Sequence, residues 1–265
     1  MRNVGWKPED HTWVICAYQE SPYLEDCILS LKRQTVSSWI VMVTSTPSPF
    51  LTKMAERYQI PIVVNQGEGG IGGDWNFALK TASTELITLA HQDDVYEPDY
   101  LQSVLNCGNK SRRPIMFFTD YGELRHGIKQ NKSKLLRIKR TMLLPIRFFP
   151  NWKAARRLSL SLGNPICCPS VTYRKSVMEQ SPFVTTYKSN LDWDQSERLS
   201  RREGAFVYIP RVLIYHRIHE ASTTTQIIGN HQRTVEDYEI ISRFWPKPLA
   251  RTIARWYASS EKENQ

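Results

Sequence analysis

Two short acidic clusters and a pair of histidines carry most of the chemistry open to this sequence. The first cluster, His91-Gln-Asp-Asp94, follows an apolar run from Leu86 to Ala90 and precedes Glu97-Pro98. The run reads as a buried strand and Glu97-Pro98 as a helix opening, so adjacent carboxylates stand at the carboxyl end of a strand. Open α/β sheets place their ligand crevice there, and paired carboxylates suit a hard cation such as Mg2+ or Mn2+ that can hold a diphosphate. Capping a turn would demand the same residues. In the second cluster, Asp192-Trp-Asp194, the two acids would point about 200 degrees apart on a helix, so they cannot share a ligand. One is expected to do chemistry and the other to favour the helix dipole. His216 and His219 follow a strand pattern and lead into a Ser/Thr loop, Ser222 to Thr225. His216 and His219 are candidate metal ligands or phosphate contacts, with a structural role expected for one of the two.

The elements that must position these groups alternate in the first half. Strands are expected at Thr12 to Tyr18, Trp39 to Val43, Ile60 to Val64 and Ile115 to Thr119, around the run at Leu86. Helices are expected from Ser21-Pro22, with Ser21 as cap, at Leu51 to Tyr58, and from about Asp74 to Thr84. Leu24, Cys27, Ile28 and Leu31 give the first helix one apolar face. Strands separated by helices of this length predict an α/β fold with a mostly parallel, Rossmann-like sheet and helices on both faces. In the second half, strands are expected at Ser170 to Tyr173, Ala205 to Ile209 and Val212 to Tyr215.

Gly67-Glu-Gly-Gly-Ile-Gly72 spells G-x-G-x-x-G between a strand and a helix, which makes a nicotinamide-dependent oxidoreductase the alternative reading. Against it, the loop follows the third strand instead of the first. A backbone loop that passes close to another nucleotide fits better.

The chain has 265 residues, room for one large domain or two joined halves, and a net charge of +9. No Asp or Glu occurs from Leu124 to Met178. Between Arg125 and Arg157, basic residues alternate with large apolar ones, a composition suited to a membrane surface and equally to a solvated helix with a buried stripe. Nucleic acid is excluded as a partner because no binding module frames the segment. The C-terminal helix pattern, with Leu249, Ile253 and Trp256 on one face, leaves the same two choices. The sequence has no apolar leader and no run of about 18 apolar residues, so a cytoplasmic protein that spans no membrane is expected, peripheral at most. Five cysteines, at 16, 27, 107, 167 and 168, fit neither a disulfide framework nor a zinc site and read as reduced thiols.

Taken together, the motifs resemble family 2 glycosyltransferases of GT-A fold from about Thr12 to Thr225. Val14-Ile-Cys-Ala-Tyr-Gln-Glu20 is similar to the family's first strand and Tyr-Asn-x-Glu turn, with Gln19 in place of Asn. His91-Gln-Asp-Asp94 resembles its metal-binding aspartate motif, and Leu191-Asp-Trp-Asp194 its Glu-Asp pair at a helix start. The resemblance implies an inverting transfer of sugar from a nucleotide donor, UDP-linked by default, to a glycan acceptor; the acid-free basic segment from Arg125 to Arg157 adds the expectation of a lipid-linked acceptor in cell-surface polysaccharide synthesis. The resemblance implies that Asp93 and Asp94 hold Mg2+ or Mn2+, and the histidine pattern adds His216 as a further candidate ligand. It also implies a donor site built from Ala17, Tyr18, Glu20, Gly73, Asn76, Gln92 and Asp93, and Asp192 as the general base. The expected halves are a donor-binding part, residues 1–120, an acceptor-binding part, 121–230, and a helical extension, 231–265. Two departures stand out. Thr44-Ser-Thr-Pro47 replaces the acidic pair that usually ends the second strand, and His91 replaces an acid at the start of the metal motif.

Overall fold

The computed structural model describes residues 5–219 and 231–262. Nine strands form one sheet: β1 (His11–Ala17), β2 (Trp39–Thr44), β3 (Ile62–Val64), β4 (Leu86–His91), β5 (Val95–Tyr96), β6 (Pro114–Arg125), β7 (Ile128–Gln130), β8 (Val171–Arg174) and β9 (Ala205–Ile218). Their order is β3-β2-β1-β4-β8-β6-β9-β5, with β7 hairpinned onto β6. β1, β2, β3 and β4 are mutually parallel. β8 runs against both β4 and β6, and β9 lies parallel to β6. The carboxyl ends of β1, β2, β4, β6 and β9 therefore emerge at one edge, where an α/β sheet binds its ligands.

Helices α1 (Leu24–Lys32), α2 (Pro49–Tyr58), α3 (Ile71–Thr81) and α4 (Tyr100–Lys110) join the strands of the first half. Helices α5 (Lys134–Met142), α6 (Leu144–Phe148), α7 (Lys153–Leu160), α8 (Leu191–Ser200), α9 (His231–Ile241) and α10 (Lys247–Lys262) build the second. Two buried clusters, one on each face, sandwich the sheet. One gathers Val14, Leu89, Phe118 and Trp193; the other gathers Trp13, Ile15, Leu24, Ile28 and Phe117. Continuous apolar runs such as β1 are thus covered on both faces, the pattern of a parallel sheet. The mixed α/β fold with a mostly parallel sheet is as expected.

Several boundaries differ from expectation for local reasons. α1 starts at Leu24, because Ser21 closes a turn in which its hydroxyl accepts from the Tyr23 N–H at 3.2 Å and its carbonyl from the Leu24 N–H at 3.3 Å. Glu97-Pro98 opens no helix: β5 follows the acidic motif first, and α4 begins at Tyr100. The two strands expected over 205–215 are one strand, β9, in which Pro210 and Arg211 bulge out of the register with β6. Proline cannot donate to the ladder, and a bulge accommodates it. β6 runs through residue 120, so the two halves share one sheet.

The basic segment 125–157 turns several of its cations inward. Arg140 bonds Asp120 at 2.5 Å and the Asn131 carbonyl at 2.6 Å. Arg156 is fully buried against the Gly204 and Arg202 carbonyls, and Arg157 pairs with Glu197 at 2.6 Å. An aromatic corner, Phe148, Phe149 and Trp152, stays exposed. Among the described residues all five cysteines are free, and no helix is long and apolar enough to cross a membrane.

Candidate active site

The acidic motif sits just past β4, and β9 brings two histidines to it. Asp94 is fully buried. Its Oδ1 accepts from the His216 ring Nδ1 and from the Arg217 backbone N–H, each at 2.9 Å. Asp93 Oδ2 lies 3.0 Å from His219 Nε2. Arg217 donates through Nε to the Asp93 carbonyl and through a terminal nitrogen to Asp26, both at 2.8 Å, and stacks over the Tyr23 ring. The end of β9 thereby locks the whole turn. The Ser/Thr loop expected at Ser222 to Thr225 lies outside the described residues.

The charges shape one another. Burial pulls the His216 imidazole down, but the charge and hydrogen bond of Asp94 and the charge of Asp93 outweigh it and carry it up to about 9. Burial pushes the Asp93 carboxyl up, and the fields of His216 and His91 with the His219 hydrogen bond hold it below its ordinary value.

Whether the site suits a cation is decided by its unused atoms. Asp94 Oδ2 is buried without a hydrogen-bond partner, and so is His91 Nε2. His91 Nδ1 stands 3.9 Å from Asp94 Oδ2, beyond a hydrogen bond but within the span of two atoms sharing one ion. One ligand atom from each of His91, Asp93 and Asp94 falls within a 4.8 Å cluster. A buried carboxylate oxygen with nothing to accept is costly, and a divalent cation would satisfy it. His91 is held for such a task by stacking on Trp75 at 5.3 Å.

The turn after β1 is fastened from two sides. Gln92 brackets Tyr18, accepting from its N–H at 3.1 Å and donating to its carbonyl at 2.8 Å. Gln19 adopts a left-handed φ of 56° and donates its N–H to Thr46 Oγ1 at 2.6 Å. Tyr18 and Glu20 are exposed at this edge, whereas Ala17 is buried in the core at 3% exposure. Asp74, in the first turn of α3, accepts from Ser45 and Asn65, each at 2.8 Å. A carboxylate thus does reach the end of β2, delivered from a helix instead of the strand.

Three residues expected to touch the donor also carry contacts within the protein. The Asn76 amide pairs with both the N–H and the carbonyl of Phe183, at 2.9 and 2.8 Å. The Gln92 amide is occupied by Tyr18. Gly73 is required by the glycine loop itself, since a Cβ there would lie 2.1 Å from the Glu68 carbonyl oxygen. A Cβ on Gly72 would meet Leu191 at 2.8 Å, so α3 packs tightly on the start of α8.

Asp192 lies in the first turn of α8 and is partly exposed; its Oδ2 accepts from Asn164 Nδ2 at 2.8 Å. Burial raises its carboxyl above the ordinary range, against the Trp193 N–H, Asn164 and the charge of Lys139. Sequence reasoning missed Asn164, whose only signal was the Gly163-Asn-Pro turn. It left Lys139 within a basic segment read as either membrane-facing or a solvated helical face, whereas the side chain lies 5.4 Å over the Tyr121 ring and its field reaches Asp192 and His216.

Comparisons with known proteins bear on the family and the fold. Residues 12–180 match the family described as glycosyl transferase family 2. An uncharacterized glycosyltransferase of Rickettsia typhi is 25% identical over 246 residues, covering 90% of this chain and 72% of its own. Among solved structures, Staphylococcus aureus TarS in complex with UDP-GlcNAc aligns with a TM-score of 0.60 at 17% identity, covering 92% of this chain and 70% of that one. The mannosyltransferase PcManGT of Pyrobaculum calidifontis, in complex with GDP-Man and Mn2+, aligns at 0.61 and 13%, covering 97% and 77%. These structures share the fold, and the oxidoreductase alternative gives way to the family match. The chain belongs to glycosyl transferase family 2 and is a glycosyltransferase.

Proposed function

We propose that the protein is a divalent-cation-dependent, inverting glycosyltransferase that takes its sugar from a nucleotide donor. The observation that carries this reading is the partnerless, buried Oδ2 of Asp94 beside Asp93, His91 and His216, on the same edge of the sheet that an α/β fold uses for ligands. Asp93 and Asp94, with His216 or His91, would hold the ion. Bound there, Mg2+ or Mn2+ supplies neutralisation of the diphosphate leaving group. The mixed nitrogen and oxygen donors suit Mn2+ at least as well as Mg2+. The solved relatives named above, with UDP-GlcNAc in one and GDP-Man and Mn2+ in the other, support a nucleotide sugar and a metal.

Asp192 is the base. Its ionised carboxylate takes the proton of an acceptor hydroxyl while the new bond forms at the anomeric carbon opposite the departing diphosphate, which inverts the configuration. Tyr18 and Glu20 border the nucleoside side of the edge. Exposed Phe148, Phe149 and Trp152 beside Arg147 and Lys153, in a segment without acids, support a glycan acceptor carried on a lipid at the cytoplasmic membrane face.

Thermal-shift measurements with UDP-glucose, UDP-N-acetylglucosamine and GDP-mannose, each with Mn2+, Mg2+ or EDTA, test the donor and the metal together. One nucleotide sugar is expected to stabilise the protein only with a divalent cation. Stabilisation by NAD(P), or equal shifts in EDTA, would overturn the reading. Sedimentation with anionic liposomes at low salt tests the membrane part separately.

A further inference from the structure

Helix α9 lies beyond the residues that match the family, and its inward face is acidic. Glu236 is 2% exposed and Asp237 is 1%. A buried carboxylate needs compensating donors, and Glu236 has four. Its Oε1 accepts from the Lys188 N–H at 2.8 Å. Its Oε2 accepts from the Ser189 N–H at 3.0 Å, the Ser189 hydroxyl at 2.7 Å and the Asn190 N–H at 3.1 Å. Asp237 adds a bond from Asn190 Nδ2 at 2.7 Å.

Three successive N–H groups converging on one anion make a backbone nest. This nest leads directly into α8, whose N-cap is Asn190 and whose second residue is Asp192. We infer that Glu236 is a positioning residue for Asp192: by gripping residues 188–190 it sets the height and rotation of the first turn of α8. Asn164 steadies the Asp192 carboxylate from the other side, so the base is held once through its side chain and once through its backbone. A general base must come within about 3 Å of the proton it removes, and a misplacement of about 1 Å costs on the order of 10²-fold in rate. The inference rests on Asp192 being the base.

The test uses the full chain, Mn2+ and the nucleotide sugar that gives the metal-dependent thermal shift, with slow hydrolysis of that donor by water as the reaction followed. Glu236→Gln puts an NH2 donor against N–H donors, and Glu236→Asp keeps the charge but withdraws it by one methylene. Both are expected to lower kcat about 10- to 100-fold while the donor Kd stays within about twofold of the parent. Asp192→Asn serves as reference. Parent-like kcat in both Glu236 variants beside an inactive Asp192→Asn overturns the positioning role and leaves the base reading intact. An active Asp192→Asn overturns the base reading itself. Should Glu236→Gln fail to fold, Glu236→Asp decides, and loss of donor binding in step with kcat there assigns Glu236 to general scaffolding and overturns the inference.

Discussion

Asp192 and Asp194 stand two residues apart on α8, and their surroundings are opposite. Asp192 is partly exposed with one amide donor, whereas Asp194 is 1% exposed and accepts from Arg198 Nε at 2.9 Å and from an Arg243 terminal nitrogen at 2.7 Å. The helical turn that separates the two side chains also separates their tasks. Asp192→Asn is expected to cut turnover by about 10³-fold with donor affinity unchanged. Asp194→Asn is expected to cost about 2 kcal/mol of stability, because it removes the buried charge that the half-buried Arg198 and Arg243 both bond. Kinetics and denaturant melts on the two variants check the contrast.

The pH dependence of turnover follows from the same carboxylate. A base works ionised, and burial raises the Asp192 carboxyl above its ordinary value, so the acid limb of kcat lies above that of a free aspartate. Activity is lost as pH falls through that limb. Asn164 donates to the ionised form and lowers the value, so Asn164→Ala is expected to move the limb to higher pH. A pH–rate profile of the two proteins measures the displacement.

At the proposed cation site, Asp94→Asn removes the charge but keeps the shape. Its Oδ1 partners, His216 and the Arg217 N–H, set the carboxylate's orientation and leave Oδ2 without a hydrogen-bond partner. The variant is expected to bind Mn2+ at least 10-fold more weakly, read by titration of the Mn2+ electron-spin resonance signal without any donor present.

Stability should depend on pH through His11, far along the sheet from the site. Its ring bonds Ser38 at 2.9 Å and Thr88 at 2.8 Å, and burial drives its pKa down to about 3. The unfolded chain binds a proton near pH 6.5 that the folded chain refuses. The contribution of neutral His11 is therefore present above about 6.5 and declines as pH falls toward 3, by about 1.4 kcal/mol per unit. Denaturant melts at pH 7, 6 and 5 should show a steeper fall for the parent than for His11→Gln.

Much of the fold was legible because its cues are local. Thr12 to Ala17 and Leu86 to Ala90 are short, mostly apolar runs bounded by polar residues, the pattern of strands buried on both faces. The errors arose where a local signal had a local rival. Ser21-Pro22 looks like a helix cap, but the Ser21 hydroxyl closes a turn on Tyr23. The alternation of Lys and Arg with apolar residues over 125–157 looked like one outward surface. Arg156 and Arg157 are instead drawn in by the Gly204 carbonyl and Glu197, partners that composition cannot reveal. Composition is equally silent on the backbone groups that the Asn76 and Gln92 amides bond.

The sequence by itself determined that a strand ends in two carboxylates and that a helix begins with two more, since hydrophobic period and turn chemistry are written within a few residues. Tertiary structure decided which oxygens are left for chemistry. His216 meets Asp94 across 122 positions, Asn164 meets Asp192 across 28, and Glu236 meets Ser189 across 47. Such pairings depend on how the sheet brings β9 beside β6 and how α9 packs on α8. His91 shows the difference: its type was plain from the start, but only the fold set it against Trp75 with a buried nitrogen and an unanswered aspartate oxygen beside it.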